Sequence, residues 1–421
     1  MKAYPVYKDS KDGWTGQIPE SWKMMQLKFL TDNHDGKRIP VKAEDRGNMQ
    51  GNYPYYGATG IIDYVNDFLF DGEYLLVGED GAPFFLPQDV AFIATGKFWV
   101  NNHAHILKCK NGSDIRFLKH ALNSVDYAEY ITGSTRDKLT QSDLSRIRLP
   151  IPSLPEQQAI ADFLDRKTAQ IDTLIEKKQR QIDLLQEQRT ALINHAVTKG
   201  LNPNVKMKDS GVEWLGEIPS HWEVAKLSYL TERIGDGLHG TPEYVDSSDY
   251  YFINGNNLVK GEIQFFESTK CVSEDEFKKY DVGLNDKTIL LSINGTIGNV
   301  AFYQGEKVML GKSAAFIVFQ DDLLKNYFFH YLQSTQIQNY FGLESTGTTI
   351  FNLSLKSIRS TPLPLPPDDE KKAITDYLDK QQLEFDKATD IITRQIAHLQ
   401  EYRTALISEA VTGKIDVRTA E

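Results

Sequence analysis

LPIPSLPEQQAIADFLDRKTAQID, residues 149–172, returns 214 positions later as LPLPPDDEKKAITDYLDKQQLEFD, residues 363–386. The echo runs on through LLQEQRTALINHAVT (184–198) and HLQEYRTALISEAVT (398–412). From Glu156 to Val197 the first tail has no Gly or Pro and is rich in residues that suit helices. Ser153-Leu154-Pro155-Glu156 supplies a capping-box start, and Thr198-Lys199-Gly200 a C-terminal stop. The second tail opens at Asp368-Asp369-Glu370 and closes at Thr412-Gly413. Leu164, Ile171, Lys178, Leu185 and Leu192 are seven apart, as are Leu378, Phe385, Ile392, Leu399 and Leu406. A second seam joins Ile175, Ile182, Arg189 and Ala196, echoed by Thr389, Ile396, Arg403 and Ala410. Sustained sevens predict two long helices packed as a coiled coil, each a rod of roughly 60 Å. The tails are too alike to need different partners, so the spacing predicts that they pack on each other. Antiparallel pairing would put a globular body at each end, related by a pseudo-twofold axis.

The rest of the chain is also written twice. DSKDGWTGQIPESWKMMQLKFLT around Trp14 returns as DSGVEWLGEIPSHWEVAKLSYLT around Trp214, 200 positions on. Gly81 pairs with Gly295 and Gly133 with Gly347 at the larger offset of 214, so the second copy gains 14 residues between about Thr31 and Leu76. Between the shared segments lie divergent bodies, roughly 34–148 and 234–362. Their short apolar runs read as strands: 69–78 as strand–turn–strand, 90–93, 98–100, 287–293 and 314–319. Asp114–Tyr130 and Asp321–Tyr340 read as helices. The predicted class is α+β, with two pseudo-symmetric mixed domains joined by an antiparallel helical pair. The expected boundaries are 1–150, 151–200 (helical), 201–362 and 363–421 (helical).

Composition narrows the function. The 421 residues allow two or three domains. No apolar run could span a bilayer and Met1–Pro5 has no secretory core, so a cytoplasmic location is expected. Cys109 and Cys271 form no CxxC and read as unpaired thiols. The net charge of −11 argues against simple DNA binding by the whole chain, and neither body is basic. Residues 1–150 carry 18 basic against 19 acidic side chains, and residues 201–362 carry 14 against 20. Nucleic-acid affinity would need a clustered face or a more basic partner.

Catalytic motifs fail on inspection. Gly305–Ser313 has five residues between its glycines where a Walker A loop has four. Glu370-Lys371-Lys372 imitates a nuclease ending but sits in a helix first turn, where acids favour the dipole. His103 and His105 alternate on a strand without a third ligand, and Ile317 stands where a uniform 214-residue repeat would put the first; packed or hydrogen-bonded histidines are expected. There is no glycine-rich nucleotide fingerprint and no Asn-Pro-Pro-Tyr-like methylation motif. No catalytic set and no metal site is expected.

The two LPxP tails and the doubled GxIPxxW segments resemble the specificity (S) subunits of type I restriction–modification systems. The resemblance is strong in the tails and weak in the bodies. It implies that residues 1–150 and 201–362 are target recognition domains. Each would read one half of a split, asymmetric site on double-stranded DNA. The helices would set the spacer and dock two modification (M) subunits that carry S-adenosylmethionine and methylate adenine N6. Two restriction (R) subunits using ATP and Mg²⁺ would join for cleavage. The chain itself would be non-catalytic, with no cofactor of its own. Lys178 opposite Ile392 departs from strict symmetry in the rod. The rival readings are a self-sufficient methyltransferase or nuclease, and a coiled-coil adaptor with no DNA role.

Base reading needs Arg, Lys, Asn, Ser and Thr on loops, with phosphate contacts fixing register. In the first body that selects Lys37, Arg38, and the glycine-led turn Ser134, Thr135, Arg136 and Lys138. In the second it selects His239, Thr241, Asn256, Lys312, Thr348, Thr349 and Asn352, with Asn254 and Asn257 in the same zone.

Overall fold

The computed structural model describes residues 2–80, 84, 89–132, 137–347 and 351–418. By internal contacts the chain divides into two compact units. One is Met1–Gln179 with Ile392–Glu421, and the other is Arg180–Ile391. Each unit therefore holds one body and one half of each long helix.

Both tails are unbroken helices, Leu154–Lys199 and Asp368–Val411. Along the middle of each helix the two predicted seams are half-buried or buried, and towards the ends further positions such as Ile160, Phe163, Val197 and Ile374 are buried as well. In the first unit Asp172 meets Arg403 at 2.9 Å and Lys178 meets Gln395 at 2.6 Å. Numbers rise on one helix as they fall on the other, so the pairing is antiparallel. Lys178 thus reaches sideways from its seam to an amide. In the second unit Ile193, Ala196 and Val197 share a core with Ile374 and Leu378, and Arg189 lies 4.0 Å from Asp386, again antiparallel. Both helices stop at a glycine with positive φ, Gly200 (75°) and Gly413 (73°). A Cβ on Gly413 would lie 2.4 Å from Pro19 Cδ, so that stop is also a close packing contact.

The shared opening segments close each body onto its helix. Lys23–Gln26 pairs antiparallel with Arg148–Ile151, and Glu223–Lys226 with Pro362–Leu365. Trp22 and Trp222 are fully buried beneath them. The acid in the first turn of each helix ties the closure down. Glu156 accepts the Tyr4 hydroxyl at 2.9 Å, and Glu370 accepts the Trp222 indole N–H at 3.0 Å.

Each body is built on a four-stranded sheet of the same order. In the first it runs Thr31–Asn33, Ala104–Cys109, Tyr74–Gly78, Ala91–Ala94. In the second it runs Thr231–Asp236, Ala314–Phe319, Thr288–Ser292, Val300–Phe302. A second four-stranded sheet in each body contains one parallel pair, Lys97–Val100 with Gln50–Gly57 and Val308–Leu310 with Tyr251–Ile253. Its strand order differs between the bodies, in the region where the chain lengths differ.

Two predicted helices are shorter. Asp114–Tyr130 yields an α-helix over Ile115–Leu122 and a short 3-10 turn over Tyr127–Glu129; the α-helix ends where the Asn123 side-chain amide bonds the Ala91 backbone at 2.7 and 2.9 Å. Asp321–Tyr340 is two helices, Asp322–Leu332 and Thr335–Glu344, broken at the extended residue Ser334. A third correction concerns register. Ala104 faces Gly78 and Ala314 faces Ser292, so the counterpart of His103 is Ser313 and not Ile317. The loops preceding these strands differ in length, and the repeat offset falls locally to 210. Among the described residues, no helix is long and apolar enough to cross a membrane.

Candidate nucleic-acid interface

Most of the described candidate residues gather at one place in each body, the N-terminal end of the central strand, Ala104–Cys109 or Ala314–Phe319. The same backbone ladder builds both ends. Glu79 N–H donates to His103 O at 2.8 Å, and Leu139 N–H to Glu79 O at 2.7 Å. In the second body Ile293 N–H donates to Ser313 O at 3.0 Å, and Leu353 N–H to Ile293 O at 2.8 Å. One residue further along, isolated antiparallel bridges join Asp80 to Lys138 and Asn294 to Asn352.

On this common ladder the first body mounts charges. Asp35 is buried, and its carboxylate accepts His105 Nδ1 at 2.6 Å, the Ile106 amide at 2.8 Å and the Asn33 amide at 3.1 Å. Burial alone would raise its pKa, but those hydrogen bonds outweigh it and hold the carboxyl below the usual value. Arg38 pairs with Glu79 and donates to Ala104 O at 2.9 Å. Lys138 reaches Glu79 at 3.2 Å, and His103 pairs with Asp80. Arg38 is therefore held inward as a brace, while Lys37 and Lys138 are exposed.

Asp35, Glu79 and His105 present ligand atoms within 4.8 Å of one another. That spacing would suit a cation, but the donors are already committed. His105 Nε2 faces Leu139 O at 2.8 Å while Nδ1 faces Asp35, and the Arg38 guanidinium supplies the positive charge between the two acids.

The second body mounts amides and a hydroxyl on the same ladder, with Asp236, His239 and Lys312 beside them. Asp236 occupies the place of Asp35 and pairs with His239 at 2.6 Å, three residues on, as Asp35 pairs with Arg38. Here the pair is open to solvent, with His239 68% exposed. Leu238 bridges to Gly311, which brings His239 beside exposed Lys312. Gly255 N–H and the Asn254 side chain both meet Ser313 Oγ at 2.9 Å, bringing exposed Asn256 to the same end. Asn257 is buried in a turn, bonding Asn254 N–H and Gln264 O. Thr241 is exposed two residues beyond His239. Asn352 is exposed and accepts from Asn294 Nδ2 at 3.3 Å. Ser134, Thr135, Arg136, Thr348 and Thr349 lie outside the described residues.

Sequence reading missed Asp35, Asp236, Glu79, Asp80 and Asn294. A signal existed for the first two, since Asp35-Gly36-Lys37-Arg38 and Asp236-Gly237-Leu238-His239 share an Asp-Gly-x-basic pattern 201 residues apart. Asp80 and Asn294 directly precede the paired glycines Gly81 and Gly295.

Comparison with known proteins agrees with the doubling. The model of the type I restriction modification DNA specificity domain matches twice, over residues 19–184 and 219–401. A putative type I restriction enzyme specificity subunit of Haemophilus influenzae is 29% identical over 85% of both chains. The putative MjaX specificity subunit of Methanocaldococcus jannaschii is 26% identical over 96% of both. Among solved structures, a chain from a study of complex assembly and conformational transition of the type I R-M system superposes with a TM-score of 0.63. It shares 15% identity over 94% of this chain and 99% of that one. The HsdS subunit of Thermoanaerobacter tengcongensis gives 0.50 at 14% identity, over 94% and 98%.

Proposed function

This chain belongs to the family of type I restriction–modification DNA specificity domains, and on that premise we propose how its parts divide the work. The chain is the non-catalytic subunit that recognises DNA sequence within an assembly of modification and restriction subunits. The first body reads one half of a split site and the second body reads the other. The antiparallel helices set the unread spacer and dock two modification subunits. Those partners carry S-adenosylmethionine and methylate adenine at N6. Two restriction subunits, using ATP and Mg²⁺, complete the cleaving form, and the assembly works in the cytoplasm beside the host DNA.

One observation carries this division. The same strand-end ladder occurs in both bodies, lined in the first by the charged cluster of Asp35, Arg38, Glu79, His103 and Lys138, and in the second by the amides of Asn254, Asn294 and Asn352 and the Ser313 hydroxyl beside Asp236, His239 and Lys312. Two readers of an asymmetric site must agree where they hold the backbone and differ where they meet bases. With a net charge of −11, the chain must borrow part of its phosphate affinity from partners.

The test is an electrophoretic shift on a duplex carrying the host's methylated motif, with and without the modification subunit. The chain alone should shift weakly or not at all at moderate salt. The complex should bind tightly, with affinity falling steeply as salt rises. A complex that binds no sequence in preference to another, or a chain that methylates DNA unaided, defeats the reading.

A further inference from the structure

We propose that the side chains at the twin β-bridge, those of Asp80 and Lys138 in the first body and of Asn294 and Asn352 in the second, are specificity-determining residues, and that Asn294 and Asn352 together read one adenine edge in the second half-site. The inference rests on the DNA-reading role above and names the residues that carry it.

The bridge is one structural position occupied twice. On either side of it the backbone ladder is the same, and the neighbouring residues Leu139, Ile293 and Leu353 are buried. Strand alternation then turns residues 138 and 352 outward. Lys138 is 48% exposed and Asn352 is exposed, with Asn294 partly so. Lys138 reaches Glu79 at 3.2 Å and Asp80 pairs with His103, whereas Asn294 and Asn352 bond each other, so a backbone held closely alike carries different side-chain partners in the two copies.

The chemistry of the second pair is specific. Asn294 Nδ2 donates to Asn352 Oδ1 at 3.3 Å. Beyond that bond Asn294 Oδ1 can still accept and Asn352 Nδ2 can still donate, and both residues reach the surface. The major-groove edge of adenine offers the complement, an N6–H donor beside an N7 acceptor. One asparagine commonly makes both bonds; here two asparagines locked to each other divide them, which fixes their spacing before DNA arrives. Exposed Lys312 precedes Ser313, the ladder partner of Ile293, and so stands where a flanking phosphate would run. Phe351, beside Asn352, is 52% exposed and offers a ring to a neighbouring base. In the first body an ammonium replaces the Asn352 amide. Alongside its bond to Glu79, the ammonium's N–H donors favour an acceptor-only edge such as guanine O6 and N7, so the two half-sites differ at the matching position.

The experiment uses the full chain assembled with its modification subunits, selecting from randomised duplexes and sequencing the bound fraction. Asn352→Asp replaces the donor by an acceptor facing N7. It should lower the adenine preference at one position of the second half-site roughly ten- to hundred-fold, leaving the first half-site unchanged. Asn352→Ser, a smaller exposed substitution, should relax the same position and guards against a folding artefact. Asp80→Asn combined with Lys138→Asn should alter one position of the first half-site only. Unchanged preferences, a uniform loss of affinity across all sequences, or a change in the opposite half-site would each overturn the proposal while the reading role stands. A wild-type complex that selects no split site would remove both.

Discussion

Replacing Asp35 by alanine removes the carboxylate around which the polar end of the first body is built. The buried Ile106 amide loses its acceptor, and His105, only 1% exposed, loses the partner of Nδ1. Arg38 keeps Glu79 but loses its second acid. An orphaned buried amide costs about 1–3 kcal/mol, and breaking a buried ion pair from one side about 3–5 kcal/mol. These overlap, so about 3–5 kcal/mol is the expected loss for the whole substitution. In a folding unit of roughly two hundred residues, 1 kcal/mol moves Tm by about 2–4 °C, giving a fall of roughly 6–20 °C. The counterpart Asp236 has only a largely exposed histidine to lose, and Asp236→Ala should cost less than about 1 kcal/mol. Scanning calorimetry of the full chain and both variants compares the two units directly. Equal shifts, or an Asp35→Ala shift under about 3 °C, would refute the claim that Asp35 organises this end. Acid gives an independent handle. Asp35 is held below the ordinary carboxylate value, so its contribution is fully present above about pH 4 and is lost as pH falls through the lower folded value.

Further expectations concern the helices and the modular plan. Burial, with Lys119 beside it, pushes His120 down to about 4 although Asp165 lies 2.8 Å away. A depressed histidine stabilises the fold above the unfolded value near 6.5 and loses that stabilisation, about 3 kcal/mol, as pH falls towards 4. His120→Gln should therefore flatten the loss of stability across this window in denaturation midpoints measured against pH. Gly413→Ala forces a Cβ against Pro19 at a positive φ and should lower Tm more than Gly16→Ala, where φ is also positive but nothing lies within 4 Å. Exchanging residues 34–148 for another body should change one half of the methylated motif in a genome-wide map; changes in both halves would contradict the division of labour. Lengthening the first helix by one turn near Thr198 should alter the spacer in that map and leave both half-sites intact.

Local sequence was enough to determine the two long helices, because heptad spacing and capping chemistry are encoded within a few turns. Leu164 to Leu192 and Leu378 to Leu406 are legible without knowing any distant partner. The repeat likewise exposed the doubled tryptophan segments, and short apolar runs marked some strands of each body, such as Tyr74–Gly78 and Ala314–Phe319, but not Gln50–Gly57 or Tyr251–Ile253. The helix breaks at Asn123 and Ser334 were not legible, because the Asn123 amide leaves its helix for a backbone 32 residues away. The polar strand ends were beyond reach for the same reason. Asp35, Glu79, His105 and Lys138 meet only because sheet pairing brings four remote stretches to one edge. Sequence alone placed Arg38 and Lys138 on loops; tertiary structure turned Arg38 inward to balance buried Asp35 and half-buried Glu79. A charge at a low-dielectric sheet end is bound by whichever opposite charge the fold delivers, and nothing in its sequence neighbours records which one that is.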